Sequence, residues 1–207
     1  RRVKSEWFDR MNTPIFLLSK KIVLEQYNKL KNISDSVSYS SKTNPYVTSI
    51  LEENTDSFFS IHFENELKHL KDFSRVIFIA QGWQTPLIKR LINKGVSKFV
   101  IDNEPDLDNL IQFLDHNNEK VDLSLRIKLR ENTIKTEKYF VFGMNADVVN
   151  KRIQDLKGNR KINSLGIHFH RKTQNTSEWD LVLEVKNMLE DETLDLIDFV
   201  NIGGGLP

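Results

Sequence analysis

Short apolar runs alternate along this chain with longer segments in which apolar residues recur every three or four positions. The short runs are typical of buried strands, and the longer segments have the periodicity of amphipathic helices. A strand followed by a helix, repeated at spacings of about 25 residues, predicts right-handed β-α-β crossovers and a parallel sheet. The predicted strands are 36–41, 57–62, 75–80, 98–102, 122–129, 164–170 and 196–202. The predicted helices are 47–53, 64–71, 85–93, 106–117, 146–156 and 178–189.

The alternation does not by itself decide how the sheet is closed. Seven strands are one fewer than an eight-stranded α/β barrel requires, and such barrels take about 250 residues where this chain has 207. An open, doubly wound sheet could be complete with seven strands. Both folds build their sites from loops at the carboxyl ends of the strands, and the polar segments 130–139 and 171–177 are predicted to be two such loops.

Composition excludes several classes of function. Thirty basic residues balance 29 acidic ones, so a broad basic surface for nucleic acid is not expected. The chain has no cysteine, which excludes disulfides, thiolate metal sites and a cysteine nucleophile within it. No apolar run approaches the roughly 20 residues that span a bilayer, and residues 1–6 lack the apolar region of a signal peptide. We therefore expect a cytoplasmic protein without a membrane partner.

Lys42 lies where the first predicted strand meets its loop, just before Pro45. A lysine at the floor of a barrel mouth can form an imine with an aldehyde. Burial and neighbouring cations favour the free amine that this reaction needs. On position alone, a solvated lysine at a strand end is the simpler interpretation.

His168 and His170 are two residues apart on the sixth predicted strand, so they point to the same face. No HExxH motif or nearby carboxylate pair accompanies them, and we expect no metal site. His170, nearer the end of the strand, could stack its ring on an aromatic cofactor. The alternative is a pair of core histidines that hydrogen-bond to neighbouring strands.

Three glycines, Gly203, Gly204 and Gly205, directly follow the last predicted strand. A glycine turn exposes main-chain N–H groups and can hold a phosphate. A flexible turn is the alternative, but three adjacent glycines are entropically costly for a simple connection, which favours phosphate binding.

Together these motifs resemble the pyridoxal-phosphate decarboxylases that act on ornithine, diaminopimelate and arginine and share a barrel with alanine racemase. The family's Tyr-Ala-x-Lys-Ala-Asn element is similar to residues 39–44, its Gly-x-His-x-His element to 166–170, and its Gly-Gly-Gly-Phe-Pro element to 203–207. The family's Thr-Pro start before the first barrel helix is similar to Thr13-Pro14. Weaker matches are 65–67, 100–102, 125–127 and 142–144. The matches follow the family's order along nearly the whole chain.

The resemblance implies an α/β fold: a (β/α)8 TIM-like barrel of the alanine racemase type. Residues 14–207 would form the pyridoxal-phosphate-binding barrel, and residues 1–13 an N-terminal segment outside it. Family members continue through an eighth strand that carries a glutamate, and then through a β-domain that completes the site across a dimer interface. We therefore expect an incomplete barrel of about seven strands without the C-terminal β-domain, and a homodimer only in the full-length protein.

The resemblance also implies pyridoxal 5'-phosphate as cofactor and a role for each candidate residue. Lys42 would form the Schiff base, His170 would stack on the pyridine ring, and Arg126 would reach the phenolate side of the ring or a nearby charge. The phosphate would be bound by Gly203, Gly204 and Gly205. The implied reaction is the decarboxylation of an amino acid of the ornithine, lysine, arginine or diaminopimelate type, with the ring as electron sink.

Three departures from the family pattern put the substrate in doubt. Lys172-Thr173 replaces the Gly-Ser after the second histidine, and Val141 replaces the lysine of Lys-Phe-Gly. Ser60 stands where the second strand commonly has an acid, and His62 follows two residues later.

Three alternatives stay open at this point. One is a non-catalytic pyridoxal-phosphate homeostasis protein, which is a single barrel with a Ser-Lys-Thr lysine. The second is an alanine racemase-type enzyme. The third is an open α/β binding domain without a cofactor.

Overall fold

The computed structural model describes residues 16–128, 142–170 and 181–204, and they contain one sheet of seven parallel strands. The strands are β1 (Ser38–Ser40), β2 (Phe58–Ile61), β3 (Val76–Ala80), β4 (Lys98–Ile101), β5 (Val121–Arg126), β6 (Ile162–His168) and β7 (Phe199–Asn201). The seven predicted strands are confirmed in position and order. The predicted segment 1–13, both predicted loops and Gly205 lie outside the described residues.

The strand order decides between the two candidate architectures. Each strand pairs with the one that precedes it in sequence, from β1 at one edge to β7 at the other. A doubly wound sheet reverses its direction of winding and places its first strand in the interior of the sheet. Winding that never reverses is typical of a (β/α)8 barrel. The fold is therefore an incomplete barrel, and the open doubly wound alternative is wrong.

Helices connect successive strands along the outside of the sheet. They are α1 (Lys20–Lys31), which precedes β1, and then α2 (Pro45–Asn54), α3 (Thr85–Asn93), α4 (Glu104–Asp115), α5 (Ala146–Asp155), α6 (Leu181–Met188) and α7 (Asp191–Leu194). Within the described residues, no helix combines the length and the apolar character needed to cross a membrane.

The connection between β2 and β3 differs from its prediction. The periodicity predicts an α-helix over 64–71, but this connection forms two 3-10 helices, Glu64–His69 and Phe73–Arg75. Glu66 folds back to accept the main-chain N–H groups of the two residues before the first helix, and Asp72 caps the second helix through the N–H of Ser74. Because two helices begin within this short connection, a continuous α-helix does not form.

The connection from β4 into α4 shows how the sequence sets the local structure. The side chain of Asn103 caps α4 by accepting the N–H of Asp106 at 2.9 Å. Leu107, Leu110 and Leu114, at helical spacing, are completely buried against the sheet. The strands contribute equally apolar faces, so the core lies between the sheet and its helices.

Gly166 brings β6 and β7 together and generates a prediction about stability. A Cβ added at Gly166 would lie 2.5 Å from the carbonyl oxygen of Phe199. Because that neighbour is main chain, it cannot move aside without separating the two strands. We expect Gly166→Ala to lower the free energy of unfolding by about 1–3 kcal/mol, the usual cost of overpacking. Urea denaturation would measure this change.

Asn163 provides the control, because it is exposed on the same strand. Asn163→Ala is expected to change the stability by less than about 0.5 kcal/mol. Equal stability of Gly166→Ala and Asn163→Ala would contradict the close approach of β6 and β7.

Candidate functional site

Lys42 lies on a tight turn immediately after β1. The N–H of Ser41 donates to the carbonyl of Ser60 and extends the pairing with β2, and the N–H of Thr43 then closes a turn onto Ser40. Next, Asn44 caps α2 by accepting the N–H of Tyr46. Strand and helix together hold the turn, and the exposed side chain of Lys42 lies at the carboxyl edge of the sheet.

His62, directly after β2, is the nearest partner of Lys42. The Nζ of Lys42 and the Nε2 of His62 are 3.4 Å apart. The carboxylate of Glu66 accepts the main-chain N–H groups of His62 and Phe63 at 3.1 and 3.0 Å, which fixes the backbone at this point. The two side chains therefore approach each other from separate, well-held strand ends.

Arg126, at the end of β5, forms the ion pair of this region. Its Nη1 lies 3.0 Å from Oδ1 of Asp102, which follows β4, and both side chains are largely buried. The guanidinium also lies over the ring of Phe142, 5.1 Å from the ring centre. Burial raises the pKa of Asp102, and the attraction of Arg126 only partly offsets this effect. The structure thus pairs Arg126 with Asp102, and the expected role of Arg126 beside the cofactor stays a prediction.

The two histidines of β6 and its extension occupy different environments. His168 is 6% exposed and lies within the curled sheet. Burial, helped by the charge of Arg126, lowers the pKa of His168 to about 4, and a hydrogen bond with Asn201 opposes the shift. His170, beyond the end of the strand, is exposed. Partial burial, followed by the charges of Arg126 and Lys42, lowers its pKa as well.

A glycine turn after β7 packs directly against His170. Gly203 has a φ of +67°, and a Cβ there would overlap the carbonyl oxygen of Phe169, so only glycine fits. Its N–H donates to the side chain of Asn201 at 2.9 Å. The N–H of Gly204 donates to Nδ1 of His170 at 3.2 Å. A phosphate that binds at Gly204 would accept this N–H in place of His170.

The charges at this edge of the sheet suit an anionic ligand. The Lys42 ammonium lies beside the His62 ring, and the charges of Lys42 and Arg126 both lower the pKa of His62 and His170. Of the carboxylates, Asp102 pairs with Arg126, and Glu66 accepts main-chain N–H groups. Two cations thus balance two carboxylates, and the exposed ammonium of Lys42, which has no carboxylate partner among the described residues, is the charge available to an anionic ligand. No group of three potential metal ligands occurs among the described residues.

The structure brings most of the predicted residues together. Lys42, Arg126, His170, Gly203 and Gly204 lie at the carboxyl edge, although they come from strands far apart in sequence. His62 is notable in the sequence only as a departure from the family pattern, and its contact with Lys42 was not expected. The signal was present, because His62 follows the end of a strand in the same way as Lys42 does.

His168 generates a prediction about acid stability. In the unfolded chain its pKa returns to the ordinary value of 6.5, so the unfolded state takes up the proton first as the pH falls. The free energy of unfolding is therefore expected to decrease between pH 6.5 and about 4. The loss attributable to His168 is about 3 kcal/mol, since a tenfold change in proton affinity corresponds to about 1.4 kcal/mol.

The measurement is urea denaturation across this pH range. His168→Gln is expected to show a smaller pH dependence than the unmodified chain, with part retained by His62 and His170, whose pKa values are also lowered. His116→Gln is the control, because His116 is exposed at the end of α4. An unchanged pH dependence in His168→Gln would show that the buried imidazole is not the source.

Comparison with known proteins was made on sequence and on structure. No curated protein sequence matches the chain. Several solved structures have the same fold. Lysine decarboxylase from Selenomonas ruminantium has a TM-score of 0.77 and 20% identity, over 100% of this chain and 57% of that protein. Lysine/ornithine decarboxylase from Vibrio vulnificus, complexed with cadaverine, has a TM-score of 0.69 and 18% identity, over 98% and 55%.

Diaminopimelate decarboxylase from Helicobacter pylori, complexed with L-lysine, has a TM-score of 0.64 and 18% identity, over 80% of this chain and 46% of that protein. The chain thus spans about half the length of the structures that it resembles. These likenesses confirm the incomplete barrel of the alanine racemase type. The sequence profile of the family "Pyridoxal-dependent decarboxylase, pyridoxal binding domain" matches residues 22–207. The chain therefore belongs to the pyridoxal-dependent decarboxylase family and represents its pyridoxal-binding domain.

Proposed function

We propose that this chain is the cofactor-binding part of an amino-acid decarboxylase that uses pyridoxal 5'-phosphate. The observation that carries the proposal is the convergence of Lys42, Arg126 and His170, which leave β1, β5 and β6 and meet at one edge of the barrel. A primary amine, a guanidinium and an exposed imidazole are the groups that a phosphorylated aromatic aldehyde needs as partners. Membership in the pyridoxal-binding family supports the same assignment.

Each residue has a distinct task in this proposal. When bound, pyridoxal phosphate supplies an aldehyde that condenses with amines and a ring that accepts the electron pair left by departing carbon dioxide. Lys42 would provide the amine that holds the cofactor and releases it to the substrate. His170 would pack against the cofactor ring. Arg126, anchored by Asp102, stabilises negative charge at the edge of the site.

The glycine turn completes the proposed cofactor site. Gly204 is exposed and has no side chain, so a phosphate that replaces the His170 ring as acceptor of its N–H can approach the main chain. The N–H of Gly203 is already bound to Asn201, so it is not available to a phosphate. The contribution of Gly203 is its positive φ, which sets the direction of the turn. Gly205 is proposed as the third phosphate contact.

The proposed substrate class is an amino acid with a second basic group. Structures that share the fold are lysine, lysine/ornithine and diaminopimelate decarboxylases, and the ligands named with them are cadaverine and L-lysine. All of these ligands carry two amino groups. The proposal further places the reaction in the cytoplasm, in a homodimer, and in polyamine or amino-acid metabolism.

Trapping the cofactor on Lys42 is the first test. Incubation with pyridoxal phosphate followed by borohydride reduction is expected to leave a stable pyridoxyl adduct on the peptide that contains Lys42. Lys42→Arg is expected to lose the adduct, because a guanidinium stays protonated and does not condense with an aldehyde. Peptide mass spectrometry measures the position and the yield.

Lys89→Arg is the matched control, since Lys89 is exposed on α3. It is expected to leave the yield of adduct on Lys42 unchanged. An adduct spread over several lysines, with no preference for Lys42, would contradict the proposed site.

Release of carbon dioxide is the second test and uses the full-length protein loaded with cofactor. Incubation with lysine, ornithine, arginine or diaminopimelate is expected to release carbon dioxide and the matching amine. Lys42→Arg is expected to lower the rate by at least about 100-fold, because the amine that exchanges the cofactor is missing. Cofactor binding without any carbon dioxide would instead indicate a carrier protein, and interconversion of alanine enantiomers would indicate a racemase.

A further inference from the structure

His62 contacts the reactive nitrogen of Lys42, and the proposed function gives it no role. An ammonium has no free electron pair, so Lys42 must lose a proton before it can attack an aldehyde. A group that accepts this proton must lie within hydrogen-bonding reach of Nζ. Among the described side chains, His62 is the hydrogen-bond partner of Nζ.

We propose that His62 is the proton acceptor that activates Lys42. The N–H bond of the ammonium breaks, its electron pair remains on Nζ, and the proton binds to Nε2 of His62. The products are a neutral amine and an imidazolium, so the total charge of the pair is unchanged. This inference deepens the proposed function and rests on it for the identity of the aldehyde that Lys42 attacks.

The geometry supports a transfer between these two atoms. Nζ and Nε2 are 3.4 Å apart, and the side chain of Lys42 is exposed. His62 is half-buried, and its main chain is held by Glu66. The acceptor is therefore held in place beside the lysine that it serves.

The charges around His62 keep it ready to accept a proton. Lys42 faces it from the turn after β1, Glu66 from the 3-10 helix, Arg126 from β5 and His168 from β6. Burial, followed by the charge of Lys42, lowers the pKa of His62, and Arg126 acts in the same direction. Glu66 opposes them without cancelling the effect.

A neutral imidazole that accepts at Nε2 carries its own proton on Nδ1. The Nδ1 of His62 is buried without a protein partner among the described residues, as is Oε2 of Glu66. The buried carboxylate, which already favours the protonated ring, stabilises the imidazolium once it forms. The same environment thus keeps His62 neutral at rest and tolerates its charge during the transfer.

The test measures the reactivity of Lys42 without the cofactor. Trace acetylation with acetic anhydride, followed by peptide mass spectrometry, gives the rate at each lysine relative to an added free amine. In the unmodified protein, the rate at Lys42 is expected to rise less steeply with pH around neutrality than for an isolated amine, because transfer within the pair adds a contribution that does not depend on pH. Below the lowered pKa of His62, the rate is expected to fall.

His62→Gln retains a hydrogen-bond acceptor but cannot take up a proton. In this variant the rate at Lys42 is expected to rise tenfold per pH unit through neutrality, as for an isolated amine. Near pH 7 it is expected to be about 100-fold below the unmodified rate, which is the lower range for a positioned base. Equal rates and parallel pH profiles in both proteins would overturn the proposal.

Two further measurements separate this effect from general damage. His116→Gln is expected to leave the profile of Lys42 unchanged, since His116 is exposed and binds the carbonyl of Gln112. In His62→Gln, Lys89 is expected to react as before, whereas unfolding would change both lysines together. Addition of imidazole to His62→Ala is expected to restore part of the lost rate, and failure of this rescue would count against proton transfer.

Because the probe is acetic anhydride, the result does not depend on pyridoxal phosphate. If Lys42 reacts less steeply with pH in the unmodified protein than in His62→Gln, but the protein binds no cofactor, the proposed function is overturned and the role of His62 stands. If the protein binds the cofactor, but the pH profiles of Lys42 are identical in both proteins, the role of His62 is overturned and the proposed function stands.

Discussion

The curl of the parallel sheet is the constraint on which the site depends. Neighbouring strands are about 4.8 Å apart, so the ends of β1 and β6 would be about 24 Å apart in a flat sheet. Burial and the charges of Arg126 and Lys42 together lower the pKa of His170. Lys42 follows β1 and His170 follows β6. Because charges much more than about 10 Å apart are screened in water, the effect of Lys42 on His170 requires these two strand ends to lie closer than in a flat sheet. Crossovers of one hand and the twist of the strands bring these ends together.

Arg126 is the electrostatic centre of the edge that the curl creates. It leaves the middle of the sheet, pairs with Asp102, and acts on the imidazoles of His62, His168 and His170. Its charge adds to the effect of burial, so all three rings have a lowered pKa. The result is an edge that carries an exposed ammonium, a guanidinium paired with Asp102, and imidazoles with a lowered pKa. The exposed ammonium can attract an anion, and the neutral rings can stack or accept protons.

Two histidines in one motif have different fates because of where the strand ends. His168 is the last residue of β6 and is buried, so its ring contributes to the acid sensitivity of the fold. His170 lies two residues further, outside the sheet, where the N–H of Gly204 bonds its ring. Of the alternatives left open by the sequence, a core histidine describes His168, whereas a cofactor contact of His170 stays a prediction. His62 adds a third environment, in which the ring contacts a lysine.

The sequence by itself determined the strands and the residues at their ends, because these depend on local periodicity and on motifs of a few residues, but it left the order of the strands in the sheet open. It therefore named Lys42, Arg126 and His170. It misjudged residues 64–71, since periods of 3.0 and 3.6 cannot be distinguished over two turns, and side-chain caps decided between them. Only the tertiary structure decided which strand ends face each other. The contacts of Lys42 with His62 and of Arg126 with Asp102 join residues 20 and 24 positions apart. Strand periodicity specifies the face of a side chain but not which side chain of a neighbouring strand it contacts.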